Sequence, residues 1–212
     1  MFKSTDEIIP DPESLLESIR SVGYSLKEAI SDLIDNSISA NASRINVIID
    51  LENTGEFHLL DNGDGMDHQK LVSSFRLGST NPKTTRDEND LGRFGMGMKT
   101  ASLSQSRSVT VTSKQNNTIV SRTLDLDEVS NLKKWVIGEK EDQRDIISKL
   151  KEVEHGTIVS WEKIDHSNIS KEENNNLLFE IRNYISLCFH RFMERSNNKI
   201  AFYLNNVLIV PK

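Results

Sequence analysis

Apolar positions recur along the chain with two periods, and the periods mark its elements. From Ser25 to Ala40, the residues Leu26, Ala29, Ile30, Leu33, Ile34 and Ile38 fall on one face of a helix of 3.6-residue period. Further helices are expected over Glu13–Val22, near His68–Phe75, from Phe94 to Leu103, over Asp142–Val153 and over Lys171–Glu194. Three strand pairs flank short turns. Arg44–Leu51 and Glu56–Leu60 enclose Asn53-Thr54-Gly55, Ser108–Ser113 and Thr118–Leu124 enclose Asn116-Asn117, and Ile200–Leu204 and Val207–Val210 enclose Asn205-Asn206. Thr157–Trp161 reads as a short strand and Lys133–Ile137 as another. The pattern predicts an α+β fold, a mostly antiparallel mixed sheet with helices on one face. Residues Gly78–Asp90 are polar and without period, and a loop of that length is more often functional than idle.

Neither an internal repeat nor a Pro/Gly-rich linker interrupts the pattern, so residues 13–212 are expected to form one domain behind a loose N-terminal arm, residues 1–12. With 36% hydrophobic and 27% charged residues, the composition is that of an ordinary soluble globular protein. No apolar run approaches the ~18 residues of a membrane span, and the N-terminus lacks the pattern of a secretory signal. Cys188 is the single cysteine, which excludes an intrachain disulfide framework and agrees with a cytoplasmic location. A net charge of -6 argues against broad nucleic-acid affinity, although Arg182, Arg191, Arg195 and Lys199 could form a local basic patch. A solvated helix face is the plainer reading of those four.

Three constellations carry candidate chemistry. On the helix Ser25–Ala40, Glu28, Asp32 and Asn36 are spaced i, i+4, i+8 and share one ridge, with Asp35 on the next. Ser25-x-x-Glu28 is a capping box, which gives Glu28 a structural task. Asp32 and Asn36 have none. An amide oxygen suits Mg²⁺, and a carboxylate one turn away can orient or deprotonate water. A polar ridge beside an apolar stripe is also what any surface helix shows.

The second constellation is Asp61-Asn62-Gly63-Asp64-Gly65-Met66, directly after a strand. An ionised carboxylate only accepts hydrogen bonds, so Asp61 suits an amino group such as that of adenine, and glycines allow a flat ring to approach. A simple turn is the alternative. The third is Gly92-Arg93-Phe94-Gly95-Met96-Gly97-Met98-Lys99, opening a helix. Its backbone amides and helix N-terminus suit an anion, and Lys99 adds a point charge for phosphate. It is neither a P-loop nor a dinucleotide fingerprint, since Arg93, Met98 and Thr100 stand where those patterns need glycine. Glycines for helix packing alone would also read this way.

In order and spacing, the three together resemble the GHKL superfamily of gyrase B, the ninety-kilodalton heat-shock chaperones, MutL and histidine kinases. The resemblance runs from about Leu15 to Trp161 and implies the Bergerat fold, an α/β sandwich that binds ATP with Mg²⁺. It implies that Asn36 holds magnesium, that Asp61 meets the adenine amino group with Gly65 and Met66 beside the ring, and that Gly92, Gly95, Gly97, Met98 and Lys99 serve the phosphates. An ATP lid would lie at about 78–91. His155-Gly156-Thr157 is similar to the late G-T motif, whose threonine supports the adenine side.

Four positions before the asparagine, the ATPase branches place a glutamate as general base and histidine kinases usually an asparagine. Here stands Asp32, a carboxylate one methylene shorter, which favours hydrolysis over phosphotransfer and makes Asp32 the catalytic candidate. Gly78-Ser79-Thr80-x-x-Lys83 ahead of GRFGMGMK, and the residues around Ala29–Ser37, look most like the MORC group and its bacterial relatives. The resemblance further implies an ATP-dependent homodimer in a longer protein, with DNA or a protein as possible client. A transducer domain supplying a lysine to the γ-phosphate would follow. The chain stops at Lys212, so an isolated domain or fragment with weak turnover is expected.

Overall fold

The computed structural model describes residues 10–21, 23–76, 97–140 and 144–212, the side chains of 144–146 excepted. Pro12 opens the first helix, α1 (Pro12–Arg20), behind the Asp11 cap. In α2 (Leu26–Ser39) the capping box is complete: Ser25 Oγ accepts from the Glu28 N–H, and Glu28 accepts from the Ser25 N–H at 2.8 Å. The hairpin β1 (Arg44–Asp50) and β2 (Glu56–Asp61) follows, then α3 (His68–Ser74) and α4 (Gly97–Leu103). A second hairpin, β3 (Ser106–Gln115) and β4 (Thr118–Asp125), leads into α5 (Leu126–Leu132), α6 (Arg144–Lys151) and β5 (Gly156–Ile164). The chain closes with α7 (Lys171–Cys188), α8 (His190–Glu194), β6 (Ala201–Leu204) and β7 (Val207–Leu208).

These strands build one seven-stranded sheet in the order β4-β3-β5-β2-β1-β6-β7. Every pairing is antiparallel except β1 with β6. The expected mixed, mostly antiparallel sandwich is therefore present. Alternation assigns the two sheet faces. Val47 and Ile49 of β1 align with Leu59 and Phe57 of β2, and these with Val159 and Trp161 of β5 and Val111 and Val109 of β3, while Ile45 lies opposite Asp61. The apolar ones are all buried against Ala29, Ile30, Leu33 and Ile34 of α2 and Ala101 and Leu103 of α4. Phe57 and Trp161 stack at 3.8 Å between ring centres. The principal helical layer thus covers one face. The short α6 lies over the other, where Leu150 and Lys149 share a cavity wall with Asn46, Ile48 and Leu60.

Two expectations need correction. Lys133–Ile137 is not a strand. Asp125 caps α5, which ends with Lys133 in the left-handed region, and only the bridge between Thr123 and Gly138 returns that segment to the sheet. Trp135, Val136 and Ile137 are apolar because they pack on the core. The long C-terminal helix is two helices, broken at Phe189 (φ -111, ψ 12), whose ring is buried against Phe202. Val22, Phe94 and Asp142, where helices were expected to begin or end, lie outside the described residues, as does most of the N-terminal arm. No helix among the described residues is long and apolar enough to cross a membrane.

Candidate functional site

Asp61 ends β2 in the middle of the sheet, and its carboxylate is buried. Oδ1 accepts from the Gly63 N–H at 2.9 Å and Oδ2 from the Ser37 hydroxyl at 3.0 Å. Burial pushes its pKa up, while the bonds from Gly63, Ser37 and the Thr157 amide pull the other way. The walls around it are backbone. At Gly65 (φ +67) an added Cβ would lie 2.0 Å from the Lys114 carbonyl oxygen, and at Gly156 (φ +153) one would lie 2.2 Å from that of Asp61. No other residue fits either place.

Side chains fix this loop from several strands. The Met66 N–H donates to Ser113 Oγ at 2.8 Å, and Ser113 lies 2.8 Å from Thr157 Oγ1. Gln115 Nε2 donates to the Asp64 carbonyl at 3.1 Å, and His155 Nδ1 contacts the Gly63 carbonyl. Asn62 Oδ1 accepts from the N–H groups of Ser43 and Arg44 at 2.9 and 2.7 Å. Met66 is half-buried beside the core.

Along α2, Asn36 is exposed, and Asp32 and Asp35 are half-buried. Burial raises the pKa of Asp32; the Tyr24 hydroxyl, bonded to its carboxylate, opposes this, and nearby Glu28 adds to it. Asp35 is pushed up to about 6 by burial and by the charge of Asp32. Asp32 also meets the first residue of α4. A Cβ built on Gly97 would stand 3.5 Å from Asp32 Oδ2. Next along α4, Met98 is half-buried and Lys99 is buried. Lys99 Nζ donates to the Ser74 carbonyl at 2.6 Å, at the C-terminal end of α3, and burial lowers its pKa to about 8. Gly92, Gly95 and residues 78–91 lie outside the described residues.

One helix therefore touches both halves of the site: α2 reaches Asp61 through Ser37 and the start of α4 through Asp32. Thr157 joins the Asp61 side through Ser113. Sequence reasoning missed Ser37, Ser113 and Tyr24. Ser37 had a signal, since it stands four residues after Leu33 on the apolar stripe, and a buried hydroxyl there needs a polar partner. Ser113 is fixed only by the register of β3 against β5, which sequence does not give. Together the groups offer a buried acceptor at Asp61, close backbone packing at Gly65 and Gly156 beside it, and two half-buried carboxylates next to an exposed amide.

Residues 24–157 match the family of histidine kinase-, DNA gyrase B- and HSP90-like ATPases. The chain is 32% identical over 95 residues to ATPase MORC2B of Mus musculus, an alignment of 43% of this chain and 9% of that protein. It is 31% identical over 65 residues to the DNA mismatch repair protein MutL of Bacillus anthracis, across 31% of this chain and 10% of the relative. MutL of Bacillus cereus (strain B4264) gives the same figures. The chain spans about a tenth of the length of these curated relatives.

Proposed function

The chain belongs to the histidine kinase-, DNA gyrase B- and HSP90-like ATPase family, and on that premise we propose that its site binds ATP with magnesium and hydrolyses the γ-phosphate. The buried Asp61 carboxylate carries the reading. Three donors hold it on the protein side, and an ionised carboxylate so fixed suits a flat base with an amino group to donate. Thr157 supports the same edge through Ser113. The exposed amide of Asn36, one turn from Asp32, fits a cation that takes few protein ligands and shares the rest with phosphates. Magnesium held there would neutralise charge on the phosphates. In this reading Gly92, Gly95, Gly97, Met98 and Lys99 would serve the phosphates.

Asp32 is the general base in this reading. Its burial and its place against Gly97 favour a carboxylate that takes a proton from water. The relatives carry the names ATPase and DNA mismatch repair protein, which supports a wider role: nucleotide-driven pairing of two copies in a longer protein, acting on DNA or a protein client. A cytoplasmic setting agrees with the lone Cys188. The side chain of Asp32, one methylene shorter than glutamate, favours a second reading, an ATP-gated interaction module with little turnover. A histidine kinase domain is the weaker alternative, because a carboxylate stands at position 32.

Mg-ATP affinity and phosphate release, measured on wild type, Asp32→Ala and Asn36→Ala, test the assignment. Asp32→Ala is expected to bind normally and lose turnover, and Asn36→Ala to lose both. Equal turnover in wild type and Asp32→Ala would remove Asp32 as base.

A further inference from the structure

Behind the sheet, on the face turned away from α2 and α4, lies a cavity of about 240 Å³ whose lining shares only Asp61 and Asn62 with the candidate nucleotide site. Strand alternation builds its floor, for Arg44, Asn46 and Ile48 of β1 point the same way, and Leu60 pairs with Asn46 in the register. Leu150 of α6 and Val153 just after it close the apolar side. The lining amides are already satisfied. Asn46 Nδ2 donates to Asn206 Oδ1 at 2.8 Å, and Asn62 is bound to the start of β1.

Two donors there remain unspent by carboxylates, Arg44 and Lys149. Among the described residues neither joins an ion pair. Arg44 stacks on the Tyr203 ring at 4.7 Å, a contact with the guanidinium face that leaves its edge N–H groups available. Glu152 is the one acid of the wall whose side chain lies outside β2, and the Asp61 carboxylate is turned toward Ser37 and Gly63. Cationic side chains therefore set the character of the mouth, over an apolar floor. The volume equals roughly eight waters at ~30 Å³ each, which is room for a small ring but not for a nucleotide.

We infer that this reverse-face cavity is a binding site for a small organic anion, its acidic group between Arg44 and Lys149 and its apolar body on Ile48, Leu60 and Leu150. The site backs onto the proposed ATP site at Asp61 and Asn62, and its occupancy does not depend on hydrolysis.

Backbone amide NMR with benzoate as probe tests this on the whole chain. Benzoate is expected to give saturable shifts at the amides of Asn46, Ile48, Leu60 and Leu150, with Kd on the order of 1 mM for so small a ligand. Benzyl alcohol, the neutral counterpart, is expected to bind at least about tenfold more weakly, and Arg44→Gln/Lys149→Gln to lose the same factor for benzoate. Lys149→Gln alone, which leaves the Arg44–Tyr203 contact intact, covers the case in which the double variant misfolds. The inference is overturned if benzoate leaves those amides unmoved. It is equally overturned if the alcohol binds as well as benzoate, or if the folded charge variants bind like wild type.

Discussion

Substituting alanine for Gly97 separates the fold from the chemistry, because the added methyl has room yet lands on the group proposed to activate water. An ideal Cβ at position 97 stands 3.5 Å from Asp32 Oδ2, 3.9 Å from Cγ and 4.0 Å from Cβ, all ordinary contacts. The residue opens α4, where alanine costs less conformational entropy than glycine. Stability should therefore hold or rise by up to ~0.5 kcal/mol, the low end of the glycine-to-alanine range. The same methyl occupies one approach to the Asp32 carboxylate. A water displaced by ~1 Å from a productive position costs about 100-fold in rate, or ~2.7 kcal/mol of barrier. Single-turnover phosphate release at saturating Mg-ATP, with urea unfolding on the same samples, reads both quantities. Gly138→Ala is the control, since nothing lies within 4 Å of an added Cβ there. Gly97→Ala turning over at the wild-type rate while Asp32→Ala is dead would refute the placement of Gly97 against the working base. A loss of stability above ~1 kcal/mol would refute the claim that the methyl fits.

Two further tests, one at a glycine and one at a histidine, rest on packing and burial elsewhere in the sheet. Gly65→Ala combines a left-handed backbone (φ +67) with a Cβ 2.0 Å from the Lys114 carbonyl, so a loss of ~2–5 kcal/mol in urea unfolding is expected. Burial, with Lys149 nearby, holds the pKa of His58 below its usual 6.5, against the opposite pull of Glu56 and Glu162. The unfolded chain therefore takes up that proton first, and the stability that neutral His58 contributes is present above pH ~6.5 and lost as pH falls through the folded value. Gln at position 58 can keep the bond to Ser160 and should flatten the acid limb of the urea midpoint against pH; parallel limbs would count against it.

Much of this architecture is written locally in the chain. The stripe of α2 and its capping box depend on residues within four positions of each other, and both are present as read. The turns at Asn116-Asn117 and Asn205-Asn206 place both asparagines of each pair at positive φ, the geometry that a two-residue hairpin needs and asparagine tolerates. Long-range pairing is what the sequence hides. β5 inserts between β3 and β2, and its register brings Thr157 opposite both Asp61 and Ser113, although 44 residues separate Ser113 from Thr157. Val136 and Ile137 misled because an apolar segment packs as readily from a loop as from a strand. The break at Phe189 arises from tertiary packing on Phe202, which overrides local helix preference. Within the site, Asp61 and Gly65 were legible from a strand ending in an Asp-Gly turn. The contact of Asp32 with Gly97 was not, since it depends on how α4 crosses α2.

Binding by the Asp61 pocket is the claim on which the rest depends, and calorimetry of Mg-ATP with wild type and Asp61→Asn addresses it most directly. Asparagine keeps an oxygen for the Gly63 N–H and removes a buried charge, so the fold should stand. It also puts a donor where the adenine amino group needs an acceptor. Loss of a charge-assisted bond, ~1.5–3 kcal/mol, should weaken binding by about 10- to 100-fold in a variant that unfolds like wild type. Equal Mg-ATP affinity in the two folded proteins would contradict the account.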